Sequence, residues 1–309
     1  MPKLIAIQAD PLGALVPESD TTLKISQEAQ KRGARLFAYQ PEHLAYDHHQ
    51  ICCQGSFFTL NSESRIDSLS PLANINLGEA DFVLIRQNPP VNSLYLTNTY
   101  LLELLANHTK VLNNPRGLRN LSEKLFTLNF PDLIPPTLVS SDRHQQLEFM
   151  NRYQQVIVKP LYDYGGRGVI YLQAGDFNTD SLLDLYAEHY AEPLMMQQYI
   201  PQVKQGDKRI LMIDGNPIGA YVRQPPVQQI RSNLRVGGKA LPTDLTARDL
   251  HICQTLAPFL KENGIYLAGL DVIGPYLTEV NVTSPTGFIT LQQLYKVDAA
   301  KIFWDGLGV

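Results

Sequence analysis

The feature that most restricts this chain is a carboxylate placed where a strand should be buried. Asp271 stands inside the apolar run Leu270-Asp271-Val272-Ile273, and Glu279, beside Val280, follows eight residues later with Asn281 close behind. A carboxylate among apolar neighbours is costly unless a cation or hydrogen bonds hold it. Gly274-Pro275 marks a turn, so residues 265–273 and 276–282 read as the two arms of a hairpin. A three-residue loop, 274–276, sets Asp271 directly opposite Glu279, and Asn281 shares the face of Glu279 because strand side chains alternate. Three oxygen donors then converge without help from any other element. Oxygen-only ligation suits Mg²⁺ or Mn²⁺ rather than zinc. The competing reading is a solvated sheet face with scattered acids, and the apolar flanks of Asp271 speak against it.

The rest of the chain supplies the frame. Residues 3–9 (KLIAIQA) form a short apolar strand, a helix capped by Ser19 or Asp20 runs to Arg32 and stops at Gly33, and residues 35–39 (RLFAY) return as a strand. That β-α-β opening implies a parallel sheet. Residues 81–86 and 110–113 are further buried strands, with the helix TNTYLLELLANH between them. A first domain therefore spans 1–120. In a second, 121–195, TLVSS and QVIVKP flank a helix over 142–153, and the turn LYDYGGRG leads into VIYL and a helix over 180–190. This α+β unit is small for an independent core. The third domain, 196–309, pairs DKRILMID with NPIGAYVR through Gly215-Asn216, then holds the long polar segment 224–239, a helix over 246–263 and the hairpin. A structureless segment of that length is usually a binding loop or lid.

Charged residues gather at the ends of these strands. Lys159 closes VIVK just before the glycine turn, where a lysine can meet phosphate, and Gly165, Gly166 and Gly168 let backbone N–H groups come close. A hairpin loop with a surface lysine explains those residues equally well. Lys124 in LSEKLFTLNF reads as one face of a solvated helix. Arg209 and Arg223 fall on adjoining strands, and Arg231 and Arg235 in the long loop; arginines around carboxylates suggest anions held near a metal. Arg86 ends DFVLI, and the carboxyl ends of parallel strands are where such sheets bind ligands. His43, His48 and His49 match no ligand spacing and lie in an expected loop. Cys52, Cys53 and Cys253 make no C-x-x-C pair, so a reducing cytoplasm is expected. A net charge of −4 argues against nucleic acid or an anionic membrane as partner. The opening MPKLIAIQADPLG lacks an apolar core and cleavage site, and no apolar run approaches the roughly 20 residues that span a bilayer.

Lys124, KPLYDYGGRG, MQQYIPQVKQGDKRILMIDG and LAGLDVIGPYLTEVNVTSPTG, in that order, make a pattern that resembles the ATP-grasp ligases, and within them the prokaryotic glutathione synthetases. ADP at 9–11, SDTTLKISQEAQKRG, RQNPP and TYLLE are similar to segments of the same family, so the likeness covers nearly the whole chain. It implies a mixed α/β and α+β architecture: a Rossmann-like N-terminal domain followed by a two-part ATP-grasp fold. It implies ATP as a substrate, Mg²⁺ or Mn²⁺, and the joining of γ-glutamylcysteine to glycine through an acylphosphate in a cytoplasmic homodimer or homotetramer. The family's nucleotide contacts fall on Lys124, Lys159, Gly165, Gly166, Gln197, Gln198, Tyr199, Ile200 and Asp207. Its metal ligands fall on Asp271, Glu279 and Asn281. Its substrate contacts fall on Arg86, Arg231, Asn233, Ser284, Pro285 and Thr286, and its catalytic arginines on Arg209 and Arg223. Two departures stand out: Tyr162-Asp163-Tyr164 in the glycine loop, and Asn88 where the family's R-x-D-P-P segment has aspartate. Three other readings stay open: a different carboxylate–amine ligase, an oxidoreductase using the N-terminal β-α-β unit, and a nucleotide-binding module without catalysis. The first turn, QADPLGALVPES, lacks the glycine fingerprint a dinucleotide site needs.

Overall fold

The computed structural model describes residues 2–105, 109–226 and 238–309. Among these, three sheets form. The first is built from β1 (Leu4–Gln8), β2 (Arg35–Asp47), β3 (Gln50–Leu60), β4 (Ile66–Leu69), β5 (Ala73–Asn76), β6 (Phe82–Ile85) and β7 (Lys110–Leu112). Its main path runs β4-β3-β2-β1-β6-β7, with β5 beside β3. β2, β1, β6 and β7 are mutually parallel, as the β-α-β opening requires. The helices α1 (Thr21–Lys31), α2 (Ser93–Glu103) and α3 (Pro115–Asn120) belong to this part. Asp20 caps α1 by accepting from the Leu23 N–H at 2.8 Å.

The second sheet, β10-β9-β11-β8, combines β8 (Thr137–Ser140), β9 (Gln155–Pro160), β10 (Ile170–Gln173) and β11 (Leu194–Gln198), with α4 (Arg143–Tyr153) and α5 (Thr179–His189). Both partners of β11 lie in this sheet, so the middle unit runs on to Gln198 and the expected edge at 195 cuts through a strand. The third sheet is β14-β13-β12-β15-β16: β12 (Asp207–Ile213), β13 (Asn216–Gln224), β14 (Lys239–Pro242), β15 (Leu267–Ile273) and β16 (Tyr276–Asn281). α6 (Ala247–Glu262) opens on a capping box between Thr246 and Asp249, and α7 (Phe288–Tyr295) and α8 (Ala299–Asp305) close the chain.

Two hydrophobic cores join the first and third sheets. One packs Phe37, Val83 and Tyr95 with Ile210, Leu270 and Val280; the other packs Ile5, Leu23 and Leu84 with Leu211, Phe288 and Trp304. A third core, Phe149 to Met196, is confined to the middle unit. Asn113 sews the first sheet to the third. Its amide donates to the Leu267 and Val282 carbonyls at 2.8 and 2.7 Å, and its oxygen accepts from the Tyr266 and Leu267 N–H groups at 2.9 Å each. Every hydrogen-bonding valence of that side chain is used.

Some elements differ from the sequence reading. The strand expected to end at residue 39 continues to Asp47 across a register shift between Tyr39 and Leu44, so His43 lies in a strand and His48-His49 form a hairpin turn. Pro41 and the shift hide the alternation that would have marked it. Segment 224–239 is a strand at both ends, β13 and β14; residues 227–237, with Arg231, Asn233 and Arg235, lie outside the described residues.

Asn113→Ala leaves two carbonyls and two N–H groups buried without partners. We expect it to destabilise the protein by on the order of 3 kcal/mol, read by urea unfolding.

Candidate active site

One face of the third sheet is polar and buried. The pairings Asp207 with Arg223, Arg209 with Asp271, and Asp271 with Glu279 set these side chains across from one another on neighbouring strands. Arg209 lays its guanidinium fork on Asp271, Nε to Oδ1 at 2.6 Å and Nη2 to Oδ2 at 3.0 Å. Arg223 Nη2 reaches the same Oδ1 at 2.8 Å, and Asn281 Nδ2 reaches Oδ2 at 3.2 Å. Arg223 also holds Asp207, its Nε donating to Oδ1 at 2.9 Å. Gly269 makes room for this: a Cβ there would stand 3.0 Å from Arg209 Nη1. Burial disfavours the Asp271 charge, but Arg209 and then Arg223 outweigh it and hold the carboxyl down at about 2. Those neighbouring carboxylates likewise push Arg223 above its ordinary range despite its own burial.

The hairpin brings its acids together by a different device from the expected loop. Ile273 pairs with Tyr276, leaving only Gly274-Pro275 in the turn, and a bulge beyond Val272 restores Asp271 opposite Glu279. Thr278, which the bulge sets out of pairing, donates to the Asp271 carbonyl at 3.1 Å. Asp271, Glu279 and Asn281 are an all-oxygen donor set that fits a hard divalent cation. No group of three or more His, Cys, Asp and Glu side chains gathers among the described residues, so a cation here rests on two carboxylates and an amide. The four N–H contacts on Asp271 fill the lone-pair positions of a carboxylate, so a cation reaches it by displacing one of them.

Two cavities meet at this pair of acids. The first lies between the second and third sheets and is lined by Lys159, Gly166, Gln197, Gln198, Tyr199, Ile200 and Asp207, with apolar walls from Ile157, Val169, Val203 and Ile273. Lys159 is buried and donates to Gln197 Oε1 at 2.8 Å; burial lowers its pKa, with Glu279 pulling the other way. The second cavity is lined by Gly165, Arg209, Arg223, Asn281, Ser284, Pro285 and Thr286. Asp271 and Glu279 border both. The arrangement suits transfer of an anionic group from a cation-lined, partly apolar cleft to an arginine-lined one.

Other predicted residues stand differently from their sequence reading. Lys124 is not on a solvated helix face. It is 4% exposed at the start of a 3₁₀ turn, donates to the Asp163 carbonyl at 2.5 Å and lies 3.9 Å from Glu279. Asp163 accepts from the Tyr190 hydroxyl at 2.7 Å, so the bulky glycine-loop residues anchor that lysine. Gly165, Gly166 and Gly168 all have positive φ, 67°, 77° and 63°. Arg86 lines neither cavity. It is buried, donates to Thr22 Oγ1 at 3.1 Å and the Pro285 carbonyl at 3.0 Å, and burial lowers its pKa to about 10. It shapes the strap 283–287 rather than touching the opening. Asn88 donates to Asp10, a contact that aspartate at 88 would turn into repulsion. Sequence reasoning missed Glu123 on the second cavity, which Tyr164 of the glycine loop also lines. Burial raises the Glu123 carboxyl, and hydrogen bonding from Thr283 works against that shift. Its place beside Lys124 was the available signal.

The fold has solved counterparts. The structure of D-cycloserine synthetase DcsG aligns with a TM-score of 0.70 over 98% of both chains at 14% identity. An ATP-grasp ligase associated with peptide natural products in Chryseobacterium gregarium aligns at 0.67, covering 100% of this chain and 97% of the other at 16% identity. The architecture is therefore that of an ATP-grasp protein, with a Rossmann-like domain before the two-part grasp. The family description "Prokaryotic glutathione synthetase, N-terminal domain" matches residues 4–119, and "Prokaryotic glutathione synthetase, ATP-grasp domain" matches residues 123–296. Glutathione synthetase of Agrobacterium fabrum is 40% identical across 99% of this chain and 96% of its own, and that of a Synechocystis species is 40% identical across 94% of each. The chain belongs to the prokaryotic glutathione synthetase family.

Asp271→Asn leaves two buried arginines short of their counter-charge, and we expect a loss of about 3–5 kcal/mol in denaturant unfolding. Glu279→Gln, at a side chain 26% exposed and 3.9 Å from its nearest cation, should change stability by less than about 1 kcal/mol.

Proposed function

We propose that this protein joins γ-glutamylcysteine to glycine at the expense of ATP, giving glutathione, ADP and phosphate. Family membership supports the reading, and the observation that carries it is the Asp271–Glu279 pair standing between a lysine-bearing cavity and an arginine-lined one. ATP occupies the first cavity. Its base packs against Ile157, Val169 and Ile273 beside the Gln197–Ile200 backbone, its ribose approaches Asp207, and its phosphates meet Lys159, Lys124 and the glycine loop. Mg²⁺ or Mn²⁺ on Asp271, Glu279 and Asn281, when bound, supplies positive charge against the phosphates. The thiol-bearing dipeptide takes the second cavity against Ser284, Pro285 and Thr286; the family resemblance adds Arg231 and Asn233.

The chemistry needs no side-chain nucleophile. The cysteinyl carboxylate attacks the γ-phosphorus, the bond to the β-phosphate oxygen breaks, and an acylphosphate and ADP result. The glycine nitrogen, having lost one proton to become the neutral amine, then attacks the acyl carbon; the C–N bond forms, the C–O bond to phosphate breaks, and a second nitrogen proton leaves with the departing phosphate. Charge builds on phosphoryl oxygens in both steps, so fixed cations carry the catalysis. Arg209 and Arg223 are held in place by Asp271 and Asp207 before substrate arrives and pay little reorganisation. The family resemblance also supports a homodimer or homotetramer acting in the cytoplasm. Among the described residues no helix is long and apolar enough to cross a membrane.

Purified protein with ATP, Mg²⁺, γ-glutamylcysteine and glycine should form ADP and glutathione one for one, and chelation of the metal should stop both. ADP formation that requires a different acid would instead make it another carboxylate–amine ligase. Lys159→Met keeps the bulk of a side chain that is costly to bury charged, so it should leave thermal stability nearly unchanged while weakening ATP binding and lowering kcat by about 10²–10³-fold. Calorimetric nucleotide titration separates the two effects.

A further inference from the structure

Glu123 is the one acid at the second cavity that the mechanism leaves without a task. It stands in a wall shared by two spaces. On one side is the cavity of Arg209, Arg223, Asp271 and the 284–286 strap; on the other is a larger cleft of about 700 Å³ bounded by Pro89–Asn92, Leu118–Leu125, Pro160–Asp163 and Tyr190–Leu194. Thr283, which donates its hydroxyl to Glu123 Oε1 at 2.8 Å, borders both spaces as well. The backbone of Glu123 is pinned to β16, its carbonyl accepting from the Val280 N–H at 2.9 Å. No lysine, arginine or histidine among the described residues comes within ion-pair distance of the Glu123 carboxylate. The adjacent Lys124 is turned away, toward the Asp163 carbonyl at 2.5 Å and Glu279 at 3.9 Å.

A part-buried carboxylate is stabilised by a cation beside it. Burial raises the Glu123 carboxyl, and a cation beside it would favour its charged form, while the adjacent Lys124 is engaged elsewhere. We propose that Glu123 receives the ammonium group of the amine acceptor, and that the cleft beyond it is the path by which the acceptor enters. The assignment rests on the ligation reading above. Geometry selects this substrate over the others. The nucleotide cavity lies on the far side of Asp271 and Glu279, and the dipeptide carboxylate must face Arg209 and Arg223, both anion partners. The dipeptide carries an ammonium as well, but only the remaining reactant arrives as an ammonium that must be brought to the acyl carbon, where it attacks once it has lost a proton. A nitrogen held at the seam faces the arginine-lined cavity while the rest of the acceptor trails into the cleft.

The test compares two acceptors on wild type and Glu123→Gln: glycine, which arrives as an ammonium, and hydroxylamine, which is uncharged near neutral pH and traps the acylphosphate as a hydroxamate. Glu123→Gln should raise the KM for glycine by about 30-fold or more, the loss expected of an enclosed charge pair. The KM values for ATP and γ-glutamylcysteine, and hydroxamate formation with hydroxylamine, should stay within about twofold. Glu123→Asp should retain more glycine turnover than Glu123→Gln, and Thr283→Val should show a milder form of the glycine defect. Equal losses with both acceptors, or a defect centred on γ-glutamylcysteine, would overturn the assignment. Absence of glutathione from the wild-type enzyme would instead overturn the ligation reading, whatever the variants do.

Discussion

The site depends on one buried carboxylate. Asp271 accepts from Arg209, Arg223 and Asn281, and Arg223 carries the link on to Asp207, so four strands are tied by a single charged row. Such a row is a poor source of stability compared with packed apolar side chains, because every member must leave water. What it gives is placement. Each guanidinium is fixed by its fork, and a shift of one strand would strand a charge rather than merely loosen a contact. The same crowding means that a divalent cation bound at Asp271 would take the place of one of its present donors, of which the Asn281 amide is the one that carries no charge.

The sequence made the outline of this site legible and hid its detail. The conflict between Asp271 and its apolar neighbours was enough to find the hairpin and its opposed acids. It was not enough to find the bulge at Thr278, because a longer loop and a bulged strand give the same pairing. Lys124 was misread because LSEKLFTLNF has the local pattern of a solvated helix, while its burial comes from β16 and the glycine loop, both far away in sequence. Arg86 was rightly placed at the carboxyl end of its strand. Where its side chain goes, to the Pro285 carbonyl, depends on a segment 199 residues away that no local pattern can report. The long β2–β3 hairpin escaped for a similar reason, since a register shift breaks its alternation.

The departures from family pattern are compensated nearby. Asp163 accepts the Tyr190 hydroxyl and its carbonyl takes Lys124, so the loop keeps an anchor while carrying bulk on either side. Asn88 turns a place for a charge into an amide donor for Asp10. At about 40% identity to glutathione synthetases over nearly the full chain, and 14–16% to structures that share only the architecture, the charged row and strap are better guides to chemistry than the overall shape.

The distribution of the three cores has a thermodynamic consequence. Two of them draw side chains from both the first and third sheets, and Asn113 ties the same two sheets through four hydrogen bonds, whereas the third core closes entirely within the middle sheet and its helices. Among the described residues the first and third sheets thus share their cores, while the middle unit has one of its own. Shared cores of this kind couple the opening of the sheet that bears the charged row to that of the sheet beside it. A unit with a core of its own has its own free-energy scale for opening, so a ligand held between it and the third sheet would act on the equilibrium of a folding unit as well as on the position of a domain.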